Sequence, residues 1–164
     1  MDYQIREITD GPLDTGHAVI REAFGAVNEK LGITRENCPR FPSFRSLDEL
    51  VEQRDRGARF FGAFVDGRQV GVVLVEREDD GRYFARRLAV LPAFWRRGIG
   101  EALMARAVAC VRESGGAVIH IGIVYENTVL KNWYLSLGFR ETGTETFPGL
   151  PFTVGFLEKE IQQL

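Results

Sequence analysis

The sequence has little cysteine, with two residues of this type among 164. Cys38 and Cys110 are too few for a disulfide framework and lack the spacing of a metal site, so no metal is expected. No apolar run approaches the ~20 residues that a membrane helix needs. The opening MDYQIREITD has no apolar stretch typical of a signal peptide. We therefore expect a soluble, cytoplasmic protein with no membrane partner.

The chain also lacks an excess of positive charge. It carries 21 lysines and arginines against 23 acidic residues, a net charge of −2. A general affinity for nucleic acid is excluded because it would need a basic surface. The charge is nevertheless uneven, since residues 81–100 contain five arginines and no acid: Arg82, Arg86, Arg87, Arg96 and Arg97. Such a local basic zone fits a small polyanionic ligand better than a polymer.

Hydrophobic periodicity predicts an antiparallel meander in the first half of the chain. The Asp66-Gly67 pair between two apolar runs is typical of a hairpin turn. Ser46, with Glu49 three residues later, has the spacing of a helix capping box. The predicted elements are a strand at 3–8, a helix at 13–31, a loop at 32–44, a short helix from 46 to about 57, and strands at 60–65, 68–76 and 82–90.

The second half alternates strands with helices. The predicted elements are a helix at 98–113, a strand at 117–124, a helix at 128–137 and two final strands at 140–147 and 152–161. A helix joins the strands at 83–90 and 117–124, which predicts that they run parallel. The expected fold class is α/β: one domain over residues 1–164, with a mixed central sheet of about seven strands flanked by about four helices. Cys110 is expected to be a small buried thiol within the helix at 98–113.

The turn RRGIG, at residues 96–100, leads from a strand into a helix. Such a turn presents unpaired backbone N–H groups at the positive end of the helix, where phosphate commonly binds. The Walker pattern of nucleotide-binding loops does not occur in the chain. The Rossmann fingerprint needs a third glycine where Leu103 stands. The absence of both patterns argues against a nucleotide-dependent enzyme.

A third template fits this stretch. LAVLPAFWRRGIGEALM resembles the acetyl-CoA motif of the GNAT family of N-acetyltransferases, in which a strand Leu-x-Val-x-Pro leads through Gln/Arg-x-x-Gly-x-Gly/Ala into a helix. The second landmark of the family is Asn-x-x-Ala-x-x-x-Tyr followed by Gly-Phe. NTVLKNWYLSLGF supplies it through Asn127, Tyr134, Gly138 and Phe139. The resemblance covers nearly the whole chain, because the order of elements also matches.

This resemblance implies that acetyl-CoA lies between two parallel strands that splay apart. The pantetheine arm is expected along Leu88, Ala89 and Val90. The pyrophosphate is expected at the N–H groups of Arg96, Arg97, Gly98, Ile99, Gly100 and Glu101, with the helix dipole assisting. A side chain at Gly98 or Gly100 would hold the phosphate away from the backbone. Asn127 either bonds the cofactor or serves as a plain helix N-cap, and both roles can hold together.

The resemblance also implies residue roles in catalysis. Tyr134 is expected to donate a proton to the departing CoA thiolate. The backbone N–H near Val90 is expected to stabilise the charge that develops on the thioester oxygen. Neither cysteine stands where a nucleophile would be needed, so the amine is expected to attack directly in a ternary complex.

Two positions depart from the family pattern. Trp95 stands at the Gln/Arg position, where Arg96 or Arg97 could supply the missing donor. Arg86 stands where many members place a glutamate base. The base is then Glu126, which we name as the catalytic candidate, or His120, or a chain of water molecules. A cation at Arg86 would favour an acceptor that carries a carboxylate, such as an amino acid or a peptide terminus.

The sequence thus predicts an acyltransferase that moves an acetyl group from acetyl-CoA to a primary amine of a small molecule or peptide. The alternative is an acyl-CoA-binding sensor or partner module with little or no catalysis. The loop at 32–45 and the first two helices are expected to wall the acceptor site. The strand-rich tail allows a homodimer, because its strands could pair or swap between chains.

Overall fold

Seven strands form one mixed sheet in the computed structural model, which describes residues 2–163. The strands are β1 (Gln4–Ile8), β2 (Arg59–Val65), β3 (Arg68–Arg77), β4 (Tyr83–Val90), β5 (Val118–Val124), β6 (Arg140–Thr146) and β7 (Thr153–Glu160). Four α-helices accompany them within those residues: α1 (Asp14–Leu31), α2 (Leu47–Asp55), α3 (Ile99–Glu113) and α4 (Thr128–Ser136). Two short 3₁₀ segments, Pro42–Phe44 and Pro92–Phe94, lie in the connections. The predicted fold class is confirmed.

The strand order is β1-β2-β3-β4-β5-β7-β6. The first four strands are antiparallel neighbours, as the meander prediction required. β4 and β5 are parallel and pair at only two positions, Tyr83 with Ile119 and Phe84 with His120. Past these pairs both strands continue without pairing to each other, to Val90 and to Val124. The splayed parallel pair is therefore present, and its open end is a slot in the middle of the sheet.

Local sequence signals account for the turns that were predicted. Asp66 and Gly67 both have positive φ, 49° and 79°, which is the conformation of a type I′ hairpin turn between β2 and β3. Ser46 precedes α2, and its Oγ accepts a hydrogen bond from the Glu49 N–H at 3.3 Å. This side-chain cap satisfies one of the N–H groups that a helix leaves unpaired at its start.

The helices cover the two faces of the sheet. On β3, a Cβ added at Gly71 would lie 2.9 Å from the Leu103 Cδ1 of α3. The next residue, Val72, faces α1, since a Cβ added at Gly16 would lie 3.7 Å from its Cγ2. Consecutive residues of a strand point to opposite faces. α1 therefore lies on one face and α3 on the other, with β3 buried between them.

The apolar side of α3 fills the core on its face as its spacing predicted. Five side chains of this helix are at most 1% exposed: Ile99, Leu103, Ala107, Cys110 and Val111. Full burial of a side chain such as Leu103 stabilises the fold by about 1.5–3 kcal/mol. Burial also raises the pKa of the Cys110 thiol. No described helix is both long and apolar enough to cross a membrane.

A bulge in β4 interrupts the regular pairing with β3. Val72 pairs with Ala89 and Leu74 pairs with Arg86, so three steps on β4 oppose two steps on β3. The extra residue lies in this interval, where Arg87 has a positive φ of 56°. The regular strand predicted over 82–90 is therefore kinked. Bulges of this kind re-aim side chains next to functional sites.

Candidate active site

The open slot exposes backbone groups of β4. The Leu91 N–H donates to the Val70 carbonyl on β3 at 2.9 Å. Because backbone groups alternate along a strand, the N–H and C=O of Val90 point away from β3, toward the slot. The same alternation turns Leu88 toward the slot and Ala89, which pairs with Val72, toward β3. Of the three residues predicted for the pantetheine arm, Leu88 and Val90 offer their backbone to the slot, and Ala89 does not.

The Trp95 side chain hydrogen-bonds to one of those backbone groups. Its indole Nε1–H donates to the Val90 carbonyl at 2.6 Å, while 42% of the residue stays exposed. The side chain at the Gln/Arg position of the family pattern is therefore fastened to the edge of the slot. Arg97, one of the two predicted substitutes, has its guanidinium over the Phe94 ring at 5.6 Å.

The turn into α3 supplies donors beside the slot. Gly98 precedes the helix with a left-handed φ of 82° and, among the residues described, no side chain caps this helix start. The N–H groups of Ile99, Gly100 and Glu101 fall in the first turn and have no acceptor inside the helix. The positive end of the helix dipole lies at the same place. Such a start can hold an anion through its backbone.

The structure explains the glycine at position 98 but does not by itself require the glycine at position 100. Gly98 is required by conformation, because an L side chain is strained at its φ, although nothing lies within 4 Å of an added Cβ. Gly100 has helical geometry, and an added Cβ would lie at an ordinary 3.5 Å from the Trp133 ring. The packing of the protein therefore tolerates a methyl group at Gly100, so a need for glycine there would come from a ligand.

Asn127 begins α4 on the other side of the slot. Its Oδ1 accepts a hydrogen bond from the Leu130 N–H at 3.2 Å, so the predicted N-cap is confirmed. Its Nδ2 group makes no hydrogen bond within residues 2–163. The amide can therefore cap the helix with its oxygen and still donate two N–H bonds to a ligand.

Tyr134 is buried in α4, with 5% of its surface exposed. Its ring lies edge-on to Trp133 and Phe139, at centroid distances of 4.9 and 5.4 Å. Burial raises the pKa of its phenol, so the hydroxyl stays protonated through the neutral range. No group in the described chain hydrogen-bonds this hydroxyl. The side chain is thus a fixed, protonated donor without a protein partner.

The candidate bases lie at different ends of β5. His120 pairs with Phe84 at the closed end, its ring 5.2 Å from that phenyl ring, and burial lowers the pKa of the imidazole. Glu126 lies two residues past β5, at the open end. Its carboxylate accepts the Thr153 N–H, at 3.0 and 3.1 Å to its two oxygens. Glu126 is therefore the candidate nearer the open end, although its carboxylate binds the start of β7, on the side of β5 away from β4.

The connection between α1 and α2 covers the open end of the slot. Phe41 packs edge-on against Phe24 of α1 and Phe152 before β7, at 5.7 and 6.1 Å. Val124, the last residue of β5, belongs to the same apolar cluster. This contact places the segment 32–44 beside the point where an acceptor would meet the slot.

A charged cluster lies under α1 and α2, and Arg86 is neutralised within it. Arg86 pairs with Glu76 at 3.0 Å and also with Glu78. Glu76 accepts a further hydrogen bond, from Gln53 of α2 at 2.6 Å. The cation that the sequence hypothesis gave to the acceptor site is thus matched by two carboxylates.

Arg87, the next residue, is different. It is 8% exposed, and its Nη1 is fully buried without a hydrogen-bond partner. No carboxylate of the described chain forms an ion pair with it. Burial lowers the pKa of its guanidinium to about 10, and the charge of Arg45 acts in the same direction. In the sequence, Arg87 stands out only as a member of the basic run at residues 81–100. The sequence carries no signal of its burial, because the bulge leaves no mark in the alternation of residues 82–90.

Residues 28–139 match the model of the Acetyltransferase (GNAT) family. The match covers more than half of the chain, and the chain belongs to this family.

Individual relatives and solved structures agree with that assignment. An uncharacterized N-acetyltransferase of Mycobacterium bovis is 32% identical over 82 residues, which is 50% of this chain and 53% of that protein. The N-acetylaspartate synthetase of Danio rerio is 32% identical over 106 residues, 62% of this chain and 38% of that protein. The chain thus spans about half the length, or less, of these curated relatives.

Two solved structures share the fold over almost the full length. The PaiA N-acetyltransferase of Thermoplasma acidophilum, solved with coenzyme A, has a TM-score of 0.80 at 20% identity, over 98% of this chain and 99% of that one. A GNAT-family acetyltransferase of Staphylococcus aureus has a TM-score of 0.72 at 18% identity, over 97% and 100%. At these identities the likeness establishes the fold alone.

Proposed function

We propose that the protein is an N-acetyltransferase that moves an acetyl group from acetyl-CoA to the primary amine of a small molecule or peptide. The observation that carries the proposal is the slot itself. The Val90 N–H lies on the edge of the slot, α3 begins beside the slot with unpaired N–H groups, and Tyr134 supplies a protonated hydroxyl from α4. These are the groups that a thioester with a pyrophosphate tail needs.

The chain would hold the acyl donor along one edge of the slot. The backbone of Leu88 can pair with the amides of the pantetheine arm as a strand would, and the Val90 carbonyl can join it when the Trp95 indole releases that oxygen. The first turn of α3 and the turn at Arg96 and Arg97 present N–H groups and cations to the pyrophosphate. Asn127 can donate its free amide N–H groups from the other edge.

The reaction would proceed by direct attack. The amine nitrogen attacks the thioester carbon, a C–N bond forms, the C–S bond breaks, and the sulfur leaves as CoA after taking a proton. Val90 N–H would stabilise the oxygen that gains negative charge, and Tyr134 would donate to the departing sulfur. Cys38 and Cys110 are buried with pKa values raised by burial, which makes them poor nucleophiles and argues against an acyl-enzyme.

Glu126 is our proposed base. An ammonium must lose a proton before it can attack, and Glu126 is the candidate side chain at the open end of the slot. Its carboxylate accepts one backbone N–H from Thr153. A carboxylate has about four acceptor positions. It therefore retains the capacity to take the proton of the amine through a bound water molecule.

The name of one relative indicates a class of acceptor. N-acetylaspartate synthetase is named for a product whose acetylated amine belongs to an amino acid. This supports an amino acid among the acceptors to be tried first.

Two measurements test the proposed function. Calorimetry with acetyl-CoA should show one site, and release of free thiol should accelerate with at least one member of a panel of amines. Absence of acetyl-CoA binding would contradict the proposal. Binding without turnover on any amine would favour the alternative, an acyl-CoA sensor. The observation that favours this alternative is that the carboxylates of Glu76, Glu78 and Glu126 all have partners already.

Other properties stay predictions from the sequence. β6 is exposed along its full length at the edge of the sheet, which supports the proposed homodimer, since an unprotected edge strand can pair with another chain. Light scattering after gel filtration measures the mass. The cytoplasmic location awaits fractionation. A metal-independent reaction is tested by assay in a chelator. No group of three potential ligands that could hold a metal ion is found among residues 2–163.

A further inference from the structure

Arg87 is a buried cation for which the described chain provides no partner. With 8% of its surface exposed it is more than nine-tenths buried, and its Nη1 has no hydrogen-bond acceptor. A buried charge ordinarily has a partner, because removing it from water is costly. A ligand of opposite charge would supply the missing interactions.

The carboxylates near Arg87 are already engaged. Glu76 binds Arg86 and Gln53, and Glu78 binds Arg86. Glu49 pairs with Arg45 at 2.9 Å, one helical turn away along the chain. Glu76 and Glu49 both influence Arg87 electrostatically, yet neither forms an ion pair with it. The three carboxylates are thus bound to Arg45 and Arg86, and Arg87 is the arginine of this cluster that forms no ion pair.

The backbone of Arg87 lies beside the slot. Arg87 takes its positive φ of 56° at the bulge of β4, immediately before Leu88, the first residue that turns its backbone toward the slot. Such a conformation is costly for a residue other than glycine, and residues in it cluster at functional sites. Arg45 and Glu49, whose charges act on Arg87, belong to the region of α2 that covers the same face.

We propose that Arg87 is the specificity-determining residue of the acceptor site, where its guanidinium binds the carboxylate of an amino acid whose amine is acetylated. The inference rests on the proposed function and names its substrate class. A guanidinium offers parallel N–H donors that match the two oxygens of a carboxylate. An amino acid carries this group one carbon from the amine. An uncharged amine of the same size would leave the buried cation without a partner.

The experiment compares each amino acid with its own amide, for example glycine with glycinamide and aspartate with aspartic acid diamide. The amide keeps the size of the acceptor and removes the negative charge. Hydrogen bonds between charged groups contribute about 1.5–3 kcal/mol, which corresponds to roughly 10- to 150-fold. We expect kcat/KM from thiol release to favour the acids by at least about tenfold. Arg87→Met should abolish the preference and leave KM for acetyl-CoA within about twofold.

Two further variants keep the result interpretable. Arg87→Lys retains the charge without the parallel N–H donors and should keep part of the preference for acids over amides. Arg82→Met removes an exposed arginine just before the same strand, where it pairs with Asp80, and should behave as wild type. Thermal melting checks that each variant folds. A preference that survives in a folded Arg87→Met variant, or is absent in wild type, overturns the inference.

Calorimetry separates this inference from the proposed function. Glycine and aspartate are titrated into the wild-type protein loaded with CoA, then into Arg87→Met. Binding that depends on Arg87 supports the carboxylate site even if no amine releases CoA, in which case only the proposed function fails. Rapid acetylation of acids and amides alike supports the function and contradicts the role of Arg87.

Discussion

The two helices that begin beside the slot start in different ways. α3 follows a glycine in the left-handed region and has no side-chain cap from the described residues. α4 follows Asn127, whose own oxygen accepts the Leu130 N–H. The chain itself caps the start of α4, whereas the first-turn N–H groups of α3 are left to bind a ligand.

The two helices therefore have different roles in the proposed reaction. Because α4 satisfies part of its own first turn, its main contribution comes nearly two turns later, from the buried hydroxyl of Tyr134. α3 contributes through the backbone of its first turn and needs no side chain there. We therefore expect changes at the start of α3 to affect acetyl-CoA binding, and changes at Tyr134 to affect the chemical step.

The largest effect is expected for Tyr134→Phe. The variant removes the proposed proton donor and keeps the ring, so packing against Trp133 and Phe139 is retained. General acid catalysis contributes about 100-fold or more, and kcat should fall by about that factor with KM for acetyl-CoA unchanged. Steady-state thiol release measures both constants.

Tyr83→Phe is the matched control for this loss of a hydroxyl. The Tyr83 hydroxyl donates to the Ser114 carbonyl at 3.3 Å, at the closed end of β4. This control should keep the wild-type kcat. Equal kcat in wild type and Tyr134→Phe would remove the catalytic role from Tyr134.

The next effect is expected for Gly98→Ala. A side chain in the left-handed region costs about 1–2 kcal/mol, and relaxation of the turn would re-aim the N–H groups at the start of α3. KM for acetyl-CoA should rise about tenfold, while kcat at saturation stays within about twofold.

Gly115→Ala carries a comparable strain without touching the start of α3. Gly115 follows the other end of that helix with φ of 87°, and nothing lies within 4 Å of an added Cβ. Both variants should lose stability in thermal melts, but only Gly98→Ala should weaken acetyl-CoA binding. An equal KM in the two variants would falsify the separation of roles.

The smallest effect is expected for Asn127→Asp. Aspartate caps a helix about as well as asparagine, so the melting temperature should not change. The substitution removes the amide N–H donors, and KM for acetyl-CoA should rise about threefold to tenfold, the value of one net hydrogen bond.

Asn127→Ala completes the comparison of the two helix starts. It removes the cap as well, which costs about 1 kcal/mol and should lower the melting temperature by about 2–4 °C for a chain of this size. An Asn127→Asp variant with the KM of wild type would reduce Asn127 to a plain N-cap.

Much of the fold was accessible from the sequence because its signals are local. The Asp66-Gly67 turn needs only two residues with positive φ, and the Ser46 cap needs only a donor three residues on. The buried side of α3 follows from helical spacing alone. The prediction that β4 and β5 run parallel followed from the helix between them, which does not allow a tight reversal.

The contacts within the site were not accessible in this way, because they depend on pairing between distant segments. Alternation along 82–90 contains no sign of the bulge, so the burial of Arg87 was missed. The pairing of Arg86 depends on the register that brings Glu76 of β3, and Glu78 just after that strand, beside it. The engagement of Glu126 depends on Thr153, 27 residues later in the chain.

The bond between Trp95 and Val90 also gives the protein an optical property. The chain has two tryptophans, and both border the slot: Trp95 on the Val90 carbonyl, and Trp133 beside Gly100. A ligand that pairs with β4 must compete for the carbonyl that the Trp95 indole holds, and one seated on the first turn of α3 comes near Trp133. Intrinsic fluorescence therefore reports on this site without a label, undiluted by tryptophans elsewhere.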